Sequence, residues 1–165
     1  MKIYNSINGV IIVLILFNVA MLYHGKYNCS CNVEHTKCVR HEILGVQYSH
    51  LYFFIFIGFF FPSYFWTFQI VGLLWELFEI FLDRNESETI TYLGGCLSKK
   101  PKHIGEQSIY NFKVYKNVDK YLNPVDRFFN IKNSKIHFWH GSIAEVILNV
   151  IAFFIGYGLN KAFFI

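Results

Sequence analysis

The sequence has few charged residues. Asp, Glu, Lys and Arg make up 16% of its 165 residues, whereas hydrophobic residues make up 54%. Soluble domains carry about 25% charged residues, so this balance excludes an ordinary soluble protein. Residues 51–82 contain no Lys, Arg or Asp. The hydrophobic residues are concentrated in separate blocks, which predicts an all-α integral membrane protein.

Basic runs interleaved with aromatic residues are also lacking. The formal net charge is only +4, and the basic residues lie mainly in a polar stretch between the hydrophobic blocks. Because nucleic-acid binding needs a basic patch or stripe, we expect no nucleic-acid partner. Internal repeats and low-complexity tracts are absent, so residues 1–165 are predicted to form a single membrane domain.

The two ends of the chain each predict a transmembrane helix. Residues 7–23 are mostly apolar, at the short end of the length that spans a hydrocarbon core of about 30 Å. No small-x-small cleavage site follows Ala20, which favours an uncleaved anchor over a signal peptide. The last helix is predicted at about 141–160, after the aromatic pair Phe138 and Trp139, which suits the membrane interface.

The central hydrophobic block predicts two further helices. Residues 51–82 are too many for one untilted helix at about 1.5 Å rise per residue. Pro62 removes a backbone donor and disfavours helical geometry in the residue before it. We therefore expect a hairpin of helices at about 44–61 and 64–82, which gives four transmembrane helices. One long kinked helix is the alternative, which gives three.

The segment 83–140 is predicted to be a water-exposed insertion, because it holds ten Lys or Arg and six Asp or Glu. Four helices place this insertion and the 24–43 loop on one side of the membrane. The orientation stays open, since basic residues favour the cytoplasm but the insertion is near the length at which charge stops deciding it. Glycosylation sequons at Asn28 and Asn85 lie on the same side.

All four cysteines also lie on that side of the predicted membrane. They allow two disulfides if the compartment is oxidising, or a zinc site with neighbouring histidines if it is reducing. Free or structural thiols are the third interpretation. The residues are Cys29, Cys31, Cys38 and Cys96.

Two carboxylates lie within an otherwise apolar helix. Glu76 and Glu79 are three residues apart, so they share one face. Glu76 lies about two turns inside the helix end, where an ionised side chain costs roughly 2.5 to 3.5 kcal/mol. We therefore expect Glu76 to have a partner or a proton.

The last helix carries a second polar set on one face, Glu145 and Asn149, with His140 at its entrance. In antiparallel packing this face meets the first carboxylates at the same depth, and His50 opens the preceding helix at that level. Clustered carboxylates need neutralisation, and no Lys or Arg lies within these helices. Oxygen-rich ligands predict a shallow site for Ca²⁺ or Mg²⁺.

Each polar residue receives an expected role. Metal ligands are Glu76, Glu79 and Glu145; catalytic residues are His50, as general base, and Glu79; substrate or packing residues are His140 and Asn149. Such an ion could bind the phosphate of a membrane lipid. The alternative is that these polar side chains only bridge helices.

The motif Trp75-Glu76-Leu77-x-Glu79, followed by Phe138-Trp139-His140, Glu145, Asn149 and Gly156, resembles the core of base-exchange phosphatidylserine synthases. This resemblance implies a transferase that exchanges a phospholipid head group for serine with calcium, on the lumenal side of the endoplasmic reticulum. It also implies that His50 is the base and that the three glutamates bind metal or substrate.

The spacing Glu145-x-x-x-Asn149-x-x-Ala152-x-x-x-Gly156 also resembles the VanZ-like membrane family, which is similar in size. Both resemblances support one hypothesis, a carboxylate-rich divalent-cation site that acts on or recognises a phospholipid head group. Whether the chain is an enzyme is left open. The alternative is a non-enzymatic structural subunit of a membrane complex, whose insertion contacts protein partners.

Overall fold

The computed structural model describes residues 7–28, 42–95, 121–132 and 138–164. This part of the chain is mostly helical, and a short antiparallel β-hairpin precedes the second helix. The elements are α1 (Ile7–Tyr23), β1 (Glu42–Ile43), β2 (Val46–Gln47), α2 (Tyr48–Phe60), α3 (Phe65–Arg84), α4 (Glu86–Leu93), α5 (Pro124–Phe128) and α6 (Ile143–Phe164).

Three helical stretches among the described residues are long and apolar enough to cross a membrane: Ile7–Tyr27, Pro62–Arg84 and Ile143–Phe164. The predicted class, a helical protein with membrane-spanning segments, is confirmed to this extent. The helix α2 has only 13 residues, fewer than the roughly 17 to 25 that span a bilayer. Its length therefore does not establish it as a fourth span.

The helices α2 and α3 form an antiparallel hairpin. Phe61 ends α2 with a φ of −129°, and Pro62 opens a short 3₁₀ turn that leads into α3. The rings of Phe61 and Phe68 lie 6.1 Å apart across this turn. The structure thus contains two helices here and not one kinked helix.

The start of α2 lies four residues later than the predicted position 44. Leu44 and Gly45 have positive φ values of 52° and 77°, and they form the turn between β1 and β2. A left-handed pair cannot continue a right-handed helix, so α2 begins only at Tyr48.

The helices α2 and α6 run parallel to each other in very close contact. A Cβ on Gly58 would fall on the carbonyl group of Phe153, and a Cβ on Gly156 would fall on the carbonyl oxygen of Ile55. Farther along, Asn160 donates a hydrogen bond of 2.7 Å to the carbonyl oxygen of Phe59. Small residues at facing positions thus let the two backbones touch, as in many membrane helix pairs.

The helix α1 packs loosely at the edge of the bundle. Val10 is its only buried residue, and Phe17 stacks on Phe53 with ring centroids 4.3 Å apart. The helix leaves an apolar groove against α2 and α3, which encloses about 20 Å³ of free space. Its lining residues are Leu14, Phe17, Asn18, His50, Phe53, Phe54, Phe68, Val71, Gly72 and Trp75.

Several predicted features lie outside the described residues. These are the central part of the insertion and the four cysteines, Cys29, Cys31, Cys38 and Cys96. The disulfide and zinc interpretations therefore stay predictions. Within the insertion, the described residues include the helices α4 and α5.

Candidate functional site

A histidine and two glutamates meet at one end of the bundle. His50 Nε2 lies 3.0 Å from Glu145 Oε2 and 3.5 Å from Glu76 Oε1. The two glutamates are 0% exposed and the histidine is 6% exposed. One ligand atom from each residue lies within 4.8 Å of the others, so this group has the dimensions of a metal site.

Three helices supply these residues, one each. His50 is the third residue of α2 and Glu145 is the third residue of α6. Because α2 and α6 run parallel, their N-termini lie side by side. The helix α3 runs in the opposite direction and brings Glu76, about two turns before its C-terminal end, to the same level. The chain just before α6 passes directly against the backbone carbonyl of Glu76 at Gly141. A Cβ on Gly141 would clash with this carbonyl oxygen.

In each carboxylate, the oxygen that points away from His50 accepts a hydrogen bond from a backbone N–H. The backbone N–H of Gln47 donates to Glu145 Oε1, and the backbone N–H of Ser142 donates to Glu76 Oε2, both at 2.8 Å. The other oxygen of each carboxylate faces Nε2 of His50 and has no further hydrogen-bond partner. The rigid outer contacts therefore aim one oxygen from each glutamate at the imidazole.

The imidazole is oriented by Asn149, whose Oδ1 lies 3.1 Å from Nδ1. An amide oxygen can only accept, so with the amide in this orientation the proton of a neutral ring resides on Nδ1. The second ring nitrogen, Nε2, then presents its lone pair to the two carboxylate oxygens. Three electron-pair donors facing one another is an arrangement that a cation stabilises.

The local electrostatics favour negative charge in two places. Gln47 and Ser142 are the residues immediately before α2 and near the start of α6, so both donated N–H groups belong to helix N-termini. The positive ends of two helix dipoles thus point at Glu145 and Glu76. Two ionised carboxylates and a neutral imidazole would carry a charge of −2, which one divalent cation balances.

The remaining predicted site residues are buried but take different positions. Glu79 is 1% exposed and His140 is 2% exposed. Glu79 lies one turn beyond Glu76, and it is not part of the group whose ligand atoms converge. His50 belongs to that group instead, so the arrangement differs from the expected set of Glu76, Glu79 and Glu145.

Sequence reasoning did not identify Asp126, which supports the site from the insertion. Its carboxylate is 1% exposed and accepts hydrogen bonds from the Ser142 hydroxyl at 2.7 Å and from the backbone N–H of Ala144 at 3.2 Å. Asn123 also donates to it at 2.7 Å and to the carbonyl oxygen of Leu44 at 3.1 Å. Asp126 and Asn123 thus tie the start of α6 to the β-hairpin that leads into α2.

A sequence signal for this support exists. Ser142-x-x-Glu145 has the spacing of a capping box, in which the glutamate would bond back to its own helix. In the structure Glu145 instead bonds to Gln47, and Asp126 takes over the capping of α6. The capping pattern predicts the start of α6, but it does not reveal which acid performs the capping.

The site is more enclosed than the shallow, water-facing cavity expected from the sequence. Glu76 and Glu145 have no exposed surface, and His50 is the member that reaches a cavity. That cavity is the apolar groove beside α1, whose walls are mainly aromatic and aliphatic side chains. Access to His50 therefore leads along apolar surface.

Comparison with known proteins adds no relative to this description. No protein-family model, no curated protein and no solved structure matches the chain. The resemblances to base-exchange phosphatidylserine synthases and to VanZ-like proteins thus stay predictions from its motifs.

Proposed function

We propose that the chain is a four-helix membrane protein whose buried histidine–carboxylate site binds a divalent cation and, through it, the head group of a phospholipid. The observation that carries this proposal is the convergence of Nε2 of His50 with one oxygen each of Glu76 and Glu145, and neither oxygen has another hydrogen-bond partner. In this proposal α2 is the fourth span.

The membrane assignment is supported by the outer surfaces of the long helices. Large apolar side chains are exposed along each of them, for example Ile12, Leu16, Trp66, Leu74, Ile151 and Phe154. A soluble monomer rarely exposes contiguous apolar surface on this scale, whereas lipid chains cover such surface at no cost. Apart from Gln69, the buried polar residues are gathered at one end of the bundle, which suits the boundary between lipid and water.

The cation is supported by charge balance. Two carboxylates buried together repel each other, and burial of each ion without compensation costs several kcal/mol. A protonated His50 would neutralise one of them and a proton on Glu76 the other, whereas a single divalent cation neutralises both. A divalent cation would also bond to the three atoms that face one another, which are Nε2 of His50 and one oxygen each of Glu76 and Glu145.

The phospholipid is supported by the route to the site. His50 forms part of the wall of the apolar groove, so a ligand that approaches along this groove needs an apolar part. A phosphate is a strong oxygen donor to divalent cations, so it supplies a group for the cation. A phospholipid combines both parts in one molecule.

The enzymatic version of this proposal is exchange of the lipid head group, as the synthase resemblance implies. A cation would polarise the phosphoryl oxygen and stabilise the charge that develops during transfer. The endoplasmic reticulum is the location implied by the same resemblance, and cell fractionation tests it separately.

The test is binding and turnover of lipid by the full chain reconstituted in phosphatidylethanolamine and phosphatidylcholine vesicles. With labelled serine and divalent cations, we expect labelled phospholipid to form, and a chelator to abolish it. The double variant Glu76→Gln, Glu145→Gln should lower the rate at least about 100-fold, because it removes two cation ligands.

Glu88→Gln is the matched control, since Glu88 is an exposed acid on α4 whose side chain bonds to Ser87. It should leave the rate unchanged. If no labelled lipid forms, binding of a short-chain phospholipid is measured with the same variants and chelator. Binding that neither the chelator nor the double variant weakens would refute the proposal.

A structural role is the second candidate, because the same cluster joins α2, α3 and α6 through one histidine. In that case the chain is a non-enzymatic subunit of a membrane complex. The glutamine variants should then reduce folding or assembly, lipid turnover should be absent, and other membrane proteins should copurify.

A further inference from the structure

We infer that the cation site selects an imidazole-binding transition metal ion of the Zn²⁺ class over Ca²⁺ and Mg²⁺, with His50 as a ligand beside Glu76 and Glu145. This inference rests on the cation site of the proposed function and specifies its ion. It differs from the sequence prediction, in which all ligands were carboxylates and His50 was a base.

The three ligand atoms are one nitrogen and two oxygens, which favours an ion that binds imidazole. One of the three is an imidazole nitrogen, whereas Ca²⁺ and Mg²⁺ are bound in proteins by oxygen atoms. Imidazole with carboxylates suits Zn²⁺ and related first-row ions. The third member of the converging group is His50 and not Glu79, so the expected ion belongs to a different class.

The separations of the ligand atoms from one another also fit a Zn²⁺-class ion. In a tetrahedral site, an ion about 2.0 to 2.2 Å from each ligand places neighbouring ligand atoms roughly 3.3 to 3.6 Å apart. The separations from Nε2 are 3.5 Å to Glu76 Oε1, within this range, and 3.0 Å to Glu145 Oε2, a few tenths of an ångström below it. Ca²⁺ needs six to eight ligands at about 2.3 to 2.6 Å, whereas one ligand atom from each of only three residues converges among the described residues.

The burial of the two glutamates leaves little room for water ligands. Mg²⁺ in proteins usually retains several water ligands, and Ca²⁺ fills its larger shell in part with water. Glu76 and Glu145 have no exposed surface, so the site offers little room for such a shell. A Zn²⁺-class ion is satisfied by three protein ligands and one open position.

The second ring nitrogen of His50, Nδ1, contacts the side chain of Asn149. Metal-bound histidines usually donate their other ring N–H to an oxygen that fixes the ring. Asn149 Oδ1, 3.1 Å from Nδ1, occupies that position. The lone pair of Nε2 is then used for the ion, so His50 is a ligand and does not act as general base.

The experiment measures ion binding to the purified, chelator-stripped full chain in detergent, with Co²⁺ as the spectroscopic probe. Wild type should bind Co²⁺ and Zn²⁺ on the order of 1,000-fold more tightly than Mg²⁺ or Ca²⁺. The Co²⁺ spectrum should show nitrogen and oxygen ligation. A thiolate charge-transfer band would instead indicate binding at the cysteines.

Three variants test the role of each contact. His50→Gln should weaken Co²⁺ binding at least about 100-fold, and Asn149→Ala should weaken it about 10- to 100-fold. His50→Asp makes all ligands oxygen and should reduce the preference for Co²⁺ over Mg²⁺. His24→Gln, at a histidine that contacts the ring of Phe138, is the control and should bind as wild type.

The ion selectivity and the Co²⁺ spectrum of the wild type together need no variant, so misfolding of one variant does not obscure the result. A spectrum dominated by the thiolate band would overturn the inference, because the cysteines would then account for the selectivity. Ca²⁺ or Mg²⁺ binding as tight as Co²⁺ would overturn the inference while leaving a divalent-cation site in place. Co²⁺ binding that His50→Gln leaves unchanged would overturn it as well. Conversely, His50-dependent Co²⁺ binding without any effect of the ion on lipid would refute the proposed function alone.

Discussion

Gly156→Ala is expected to destabilise the folded chain by about 3 kcal/mol, at the upper end of the cost of overpacking. A Cβ at this position would fall on the backbone oxygen of Ile55, and a backbone atom cannot move aside as a side chain can. The helices α2 and α6 would therefore have to separate. The measurement is unfolding in mixed micelles, followed by circular dichroism.

Gly158→Ala is the matched control, since no atom lies within 4 Å of a Cβ built there. It lies on the same helix and changes the chain by the same methyl group. Alanine has the higher helix propensity, by up to about 1 kcal/mol, so this variant should be as stable as wild type or more stable. Equal losses of stability in the two variants would contradict the close packing of α2 on α6.

Asp126→Ala is expected to cost about 3 kcal/mol of stability and to weaken the site at the start of α6. The variant leaves the Ser142 hydroxyl, the Ala144 N–H and the Asn123 amide without their shared acceptor. A buried donor that loses its partner costs about 1 to 3 kcal/mol. Thermal unfolding and Co²⁺ affinity are the two measurements.

Asp126→Asn is the graded comparison, because it keeps one oxygen acceptor and nearly the same volume. It should cost about 1 kcal/mol and retain more of the Co²⁺ affinity. The affinity readout separates support of the site from general stability, since Ser142 also donates to Glu76. If Asp126→Ala unfolds more easily but binds Co²⁺ as wild type, Asp126 only caps α6 and does not position the site.

The sequence predicts the features that depend on composition and helical spacing. Apolar length locates α1, α3 and α6, and Pro62 locates the break between α2 and α3. The expectation that Glu76 and Glu145 approach each other from neighbouring helices agrees with their contacts to His50. Such pairings follow from antiparallel packing and equal depth, which spacing alone can suggest.

The features that depend on contacts across the chain could not be predicted. Asp126 lies in a polar segment whose composition resembles many surface loops, so nothing local marks it as buried. The choice between His50 and Glu79 as the third member depends on the rotations of α2 and α3 about their axes, since each helix carries one of them. The close contact of Gly156 with Ile55 constrains α2, and a single sequence does not show which glycine makes the contact.

The short length of α2 has a consequence for the surrounding bilayer if it is the fourth span. Its 13 residues rise about 20 Å, whereas the hydrocarbon core of a typical bilayer is about 30 Å thick. Lipids adapt to a short apolar segment by local thinning, at a modest cost per ångström. The polar head groups beside α2 would then lie closer to the membrane centre, at the depth of Glu76 and Glu145.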